Sequence, residues 1–103
     1  MNAINIFDLP KTPFPEELVT ILAQSSTVRI ERIVSSGQVS DWYDQTEAEL
    51  VVLLEGYAVI DFDNGKRISI AKGDTVLISP HERHKVSFTS TNPPCIWLCV
   101  FFN

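Results

Sequence analysis

From Thr27 onward the chain is written in twos. In TVRIERIVS, Arg29, Glu31 and Ile33 fall on one side of an extended segment and Val28, Ile30, Arg32 and Val34 on the other, the pattern of a strand with one wet face. ELVVLLE and YAVIDFD follow, divided by Gly56, and RISIA alternates again. TVLIS and KVSFTS are two further strand-like runs. CIWLCVFF closes the pattern with Cys95, Trp97, Cys99 and Phe101 on one face and Ile96, Leu98, Val100 and Phe102 on the other. Both of its faces are apolar, so this strand needs two covers: a barrel interior on one side, and the N-terminal segment or a second subunit on the other.

Turn residues sit between these runs. Asp63-Asn64-Gly65-Lys66 predicts a tight hairpin, Lys72-Gly73-Asp74 a second turn, and Asn92-Pro93-Pro94 a third, while Pro80 interrupts the chain before a histidine-bearing loop. Seven or eight short strands punctuated in this way predict a sandwich or a barrel. Before Ser25 the pattern differs. Pro15 suits a first helical turn, Glu16 and Glu17 complement its positive end, and Leu18, Ile21 and Leu22 recur at spacings of three and four. One short helix is expected at about residues 15–24, behind a proline-rich arm, IFDLPKTPFP, that runs over the surface. Residues 1–25 then form arm and helix, and residues 27–102 the barrel. No solenoid-type repeat and no low-complexity tract interrupts this single-domain organisation.

Length and charge narrow the function classes. A chain of 103 residues, 45% hydrophobic and 20% charged, fits one core and not two. Eight Lys and Arg against 13 Asp and Glu give a formal charge of −5, and no basic cluster stands out along the sequence, so a nucleic-acid partner is not expected. No basic, apolar leader is visible at the N-terminus, and CIWLCVFF is far short of the roughly 20 residues that cross a bilayer. A soluble, cytoplasmic protein without membrane contact is the expectation. Cys95 and Cys99, four apart on one strand, lie roughly 13 Å from each other and cannot pair, which leaves them as reduced, buried packing groups.

The segment GQVSDWYDQTEAELVVLLEG, from Gly37 to Gly56, resembles the first motif of the cupin family without a gap, and GDTVLISPHERHKV resembles the second. Tyr43 and Gln45 fall where that family has two metal-binding histidines, Glu49 falls on its glutamate, and Gly56 closes the first motif. Gly73 and Asp74 open the second, Ser79-Pro80 stands where a proline pair is common, and His84 falls on its histidine. More narrowly, the WYDQ, VVLLEG and SPHERH segments are similar to a group of small single-domain cupins without a settled activity. The resemblance implies an all-β, double-stranded β-helix or jelly-roll barrel whose interior pocket is the functional site, and it favours a homodimer packed sheet to sheet.

The resemblance also implies where the chemistry is. Tyr43 and Gln45, two apart, share a face about 7 Å apart; Glu49 returns after a bulge or turn through Thr46-Glu47-Ala48; His84 arrives from a facing strand. Two histidines at the first two positions would complete a site for iron, manganese or nickel. Here Glu49 and His84 are the good ligands, with Gln45 and water able to complete a weak divalent site for Fe, Mn, Ni or Zn. Alternatively, Tyr43, Gln45, Glu49 and His84 satisfy one another in a hydrogen-bond network. His81 is expected at the rim, Trp42 and Asp44 facing away from the cavity, and Glu47 and Arg83 exposed near the mouth. Phe62, Phe88 and Phe101 are large enough to fill the pocket. Three functions remain open: a small-molecule binding module, a divalent-metal enzyme of oxygenase, lyase or isomerase type acting on a small organic acid or sugar derivative with Tyr43 and His84 catalytic, and a metal-free acid/base enzyme using His84 oriented by Glu49.

Overall fold

The computed structural model describes residues 2–10 and 14–103; positions 11–13 of the proline-rich arm lie outside the described residues. Eight strands follow one another: β1 (Leu18–Gln24), β2 (Val28–Ser35), β3 (Ala48–Glu55), β4 (Tyr57–Phe62), β5 (Arg67–Ala71), β6 (Thr75–Ile78), β7 (His84–Thr89) and β8 (Cys95–Phe102). They form a five-stranded sheet in the order β1-β2-β8-β3-β6 and a three-stranded sheet in the order β5-β4-β7. All pairings are antiparallel.

The helix expected at residues 15–24 is not formed. Residues 18–24 are a strand instead, paired with β2 from Leu18 against Val34 to Gln24 against Arg29, with a bulge between Ile21 and Ala23. Val19, Thr20 and Ile21 are a β-branched run that fits a pleated sheet better than a helix. Leu18 and Val19 also take opposite faces: Leu18 stands with Val34, and Val19 with Ile33. Spacings of three and four in LVTIL were produced by an apolar run that supplies both faces of a strand. Where the arm is described, Arg32 donates from the outer face of β2 to the carbonyls of Ile6 and Asp8.

The turns follow their residues. Gly65 takes φ +88° in the loop between β4 and β5, where Phe62 N–H donates to Lys66 O at 2.8 Å. Lys72-Gly73-Asp74 carries the chain from β5 in the smaller sheet to β6 in the larger one, closed by Asp74 N–H on Ala71 O. The core is the space between the sheets. Val51, Leu53, Ala58, Ile60, Ile70, Ile78, Trp97 and Cys99 are all buried there. At one end the facing residues become polar, and the packing opens into a cavity.

Candidate functional site: a polar pocket in the barrel mouth

The cavity has a volume of about 320 Å³. Its inner end is apolar, with Val51, Ile60, Ile78, Val86 and Trp97, and its polar groups include Tyr43, Gln45, Glu49 and His84. The four side chains expected to converge therefore do so, each held by a different device. His84 starts β7, opposite Phe62 on β4, and is 3% exposed. Tyr43 lies outside the regular strands but is tied to it by two backbone bonds, Tyr43 N–H to His84 O at 2.7 Å and His84 N–H to Tyr43 O at 3.2 Å. Their rings stand 5.5 Å apart. Gln45 is anchored by His81 N–H, which donates to its carbonyl, and Glu49 is carried on β3 opposite Phe101 and Ile78.

The contacts among the four are uneven. Gln45 Nε2 donates to Glu49 Oε1 at 3.2 Å, whereas His84 Nε2 stands 3.9 Å from that oxygen, beyond hydrogen-bond length. His84 Nδ1 lies 2.8 Å from the Glu82 carbonyl, so this nitrogen carries the proton and the lone pair of the neutral ring sits on Nε2. Burial pushes the Glu49 carboxyl above the ordinary glutamate range, an effect softened by the Cys99 thiol and the Gln45 amide beside it. Burial, with the negative charge of Glu17, also raises the Tyr43 phenol. Tyr43 thus stays a neutral hydroxyl at physiological pH.

This donor set does not fit the three-nitrogen, one-carboxylate metal centre. His84 Nε2 and Glu49 Oε1 can serve one ion, but the Gln45 amide hydrogens are turned toward Glu49 and a neutral phenol is a poor ligand. Among the described residues no group of three or more His, Cys, Asp or Glu side chains is placed to hold a metal ion.

Three charged residues of the pocket were not singled out from sequence. The face of β2 that carries Arg29, Glu31 and Ile33 turns inward, so the wet face of this strand is a cavity wall and not an outer surface. Arg29 Nε donates to Glu31 Oε2 at 2.8 Å, its two terminal nitrogens reach Glu47 at 3.2 and 3.3 Å, and its guanidinium lies 4.3 Å from the centre of the Phe101 ring. Glu47 is therefore the brace of Arg29 and not a free surface charge. Glu17, just before β1, accepts from Ser35 Oγ at 2.7 Å, and Ser35 in turn accepts from Trp97 Nε1 at 3.1 Å. The charged pair in an otherwise β-branched strand was the available signal.

The remaining expectations divide. His81 is exposed at the rim and bonds Asp44 through Nδ1 at 2.8 Å, its backbone at φ +60°. Trp42 and Asp44 are absent from the cavity lining, as alternation predicts, but Trp42 is 41% exposed and not packed in a core. It lies in a second, open groove with Lys66, Arg67, Arg83 and Lys85, the Lys85 ammonium 4.8 Å from the centre of its ring. A basic cluster thus forms in space that is not visible along the sequence. Two short basic stretches far apart in the chain meet there because β4 pairs with both β5 and β7. Asp61 and Asp63 lie in the same groove and partner Arg67 and Arg83, which offsets part of its charge. Phe101 lines the cavity, whereas Phe88 is half exposed on the outside and Phe62 stands behind His84. Cys95 and Cys99 are free and buried.

Fold and pocket together define a cupin, and the family's cupin domain model matches residues 31–101, so the chain belongs to that family. Its curated relatives include the L-ectoine synthase of Rhodococcus erythropolis, 35% identical over 72 residues, and that of Rhodococcus opacus, 33% identical over 72 residues. Each match takes in 69% of this chain and 52% of the relative, so the chain spans about half the length of these proteins. A candidate mannose-6-phosphate isomerase from Ralstonia eutropha has the same fold throughout, with a TM-score of 0.92, 30% identity and coverage of 99% of this chain and 98% of that one. A cupin superfamily protein of Desulfitobacterium hafniense, 22% identical with a TM-score of 0.77 over 90% of this chain and 83% of its own, shares the fold. No helix among the described residues is long and apolar enough to cross a membrane.

Proposed function

We propose that this cupin is a small-molecule binding barrel whose ligand occupies the cavity lined by Tyr43, Gln45, Glu49 and His84. The observation that carries this reading is the cavity itself. Its volume of about 320 Å³, its apolar inner end and its convergent polar groups are what a metabolite-sized site requires, and two strong ligands are too few for a resident metal centre. The apolar outer face of the larger sheet, where Leu50, Leu77 and Val100 share one side, supports a second copy of the chain as its cover.

Screening metabolites by thermal unfolding tests the reading. A ligand present at 100 times its dissociation constant adds roughly 2.7 kcal/mol of stability, an effect large enough to read directly. Gln45→Ala and a cavity-filling Val86→Phe should each remove that stabilisation. A ligand bound with the same affinity by both variants sits elsewhere and overturns the proposal.

A divalent-metal enzyme is the second reading, favoured by the His84 Nε2 lone pair directed beside Glu49 and by the likeness to the Ralstonia isomerase candidate. His84 and Glu49 would hold the ion, Gln45 would turn its carbonyl toward it, and Tyr43 would move a proton at its hydroxyl. Stoichiometric Fe, Mn, Ni or Zn in tag-free protein, lost in His84→Ala, replaces the binding reading with this one.

A further inference from the structure

Resting on the cavity as a ligand site, we propose that its ligand is a compact organic cation, an amine or amidine whose N–H groups face Glu17 and Glu31. Much of the donor capacity of the polar lining is already in use. Arg29 is committed on all three nitrogens, to Glu31 and to Glu47, with Phe101 against its face. The Trp97 indole N–H is used on Ser35, the Ser35 hydroxyl on Glu17, the Gln45 amide on Glu49, and the His84 Nδ1–H on the Glu82 carbonyl. Beyond one unused N–H on each terminal nitrogen of Arg29 and one on Gln45, what remains to greet a ligand is mostly acceptors: the second oxygens of Glu17 and Glu31, the Gln45 carbonyl oxygen and His84 Nε2. The Tyr43 hydroxyl can both give and accept.

The His84 nitrogen is an observation independent of the carboxylates. Its ring is 3% exposed, lines the cavity, and has no partner within hydrogen-bond reach of Nε2. Facing the cavity, this nitrogen offers an open acceptor to a donor on a ligand. Charge points the same way. Among the described residues, Glu17, Glu31 and Glu49 line the cavity with Arg29 as the lysine or arginine facing them, and Glu47 already shares that cation. Burial first, and after it the neighbouring Glu49, Glu31 and Glu17, pushes the Cys99 thiol well above its ordinary range. A phosphorylated sugar would bring negative charge into this field. A bare inorganic ion would leave the apolar end formed by Val51, Ile78 and Trp97 unfilled.

Three probes of similar shape separate the possibilities: benzamidine, benzyl alcohol and benzoate, titrated into the protein while the Trp97 indole N–H resonance is followed. Benzamidine should bind about tenfold or more tightly than benzyl alcohol, a difference of about 1.4 kcal/mol, and benzoate most weakly. In Glu17→Gln/Glu31→Gln the amidine-to-alcohol ratio should fall to within about threefold, because the amide oxygens still accept but carry no charge. Equal affinities for amidine and alcohol, a preference for benzoate, or a ratio unchanged in the double variant would overturn the cation assignment and leave the pocket standing. If none of the three probes moves the Trp97 resonance, the pocket reading fails and the cation with it.

Discussion

Gly56, which closes the first motif, offers a test of how tightly the scaffold of the pocket is made. Its φ is +92°, and a Cβ placed on it would lie 2.8 Å from Ser90 Oγ and 2.9 Å from both Cys95 Cα and Pro94 O. None of these can give way. Two are backbone atoms, and the Ser90 hydroxyl is held between Tyr57 N–H at 3.0 Å and Pro93 O at 2.6 Å. Gly65 is the matched control, with φ +88° and nothing within 4 Å of the same added atom. The left-handed backbone costs a non-glycine residue roughly 1–2 kcal/mol, so Gly65→Ala should lose about that much. Gly56→Ala should lose the same and, for the clash, roughly 1–3 kcal/mol more, giving about 2–5 kcal/mol in all. Against a total stability of roughly 5–15 kcal/mol, the second loss threatens folding and the first does not. Urea unfolding of both variants, with slopes unchanged from the parent, reads the difference. Equal losses would show that the β3–β4 corner yields, and would refute the rigid account of it.

Two further outcomes follow from the site and the sheet. Because burial raises the Glu49 carboxyl, the folded chain holds that proton more tightly than the unfolded chain; the stability this contributes is complete below the ordinary glutamate range and is lost as pH rises through the raised value. Glu49→Gln should therefore match the parent near about pH 4 and exceed it progressively toward about pH 7, and a pH-independent offset in thermal unfolding would contradict the assigned cause. If a second copy covers the outer sheet face, Leu77→Glu, at a side chain 61% exposed, should convert a dimer to a monomer in sedimentation; a parent chain that already sediments as a monomer dismisses the proposed interface.

The barrel was largely legible because its strands carry their own period. Val28 to Val34 alternates, glycines and prolines mark the corners, and the two motif frames put Tyr43, Gln45, Glu49 and His84 on converging elements. What the sequence concealed depended on pairings between distant segments. Leu18, Ile21 and Leu22 satisfy helical spacing as well as a strand does, and only the partnership with β2 decides between them. Alternation separates Arg29 and Glu31 from Val28 and Ile30, but it does not say which side faces the interior. That choice is made by β8, which places Trp97 beside Ile33 and Phe101 beside Arg29. The groove around Trp42 was hidden for the same reason, since its cations are joined only by the ladders on either side of β4.

The place of β8 between β2 and β3 has a consequence for the living chain. During vectorial synthesis both of its neighbours leave the ribosome long before Cys95–Phe102 does, and until then each presents an open row of amides and carbonyls. The wall that holds Trp97, Cys99 and Phe101 does not exist until β8 has emerged. Closure thus waits on long-range pairing, and the interval before it is when this protein is most exposed to sticking to its own kind.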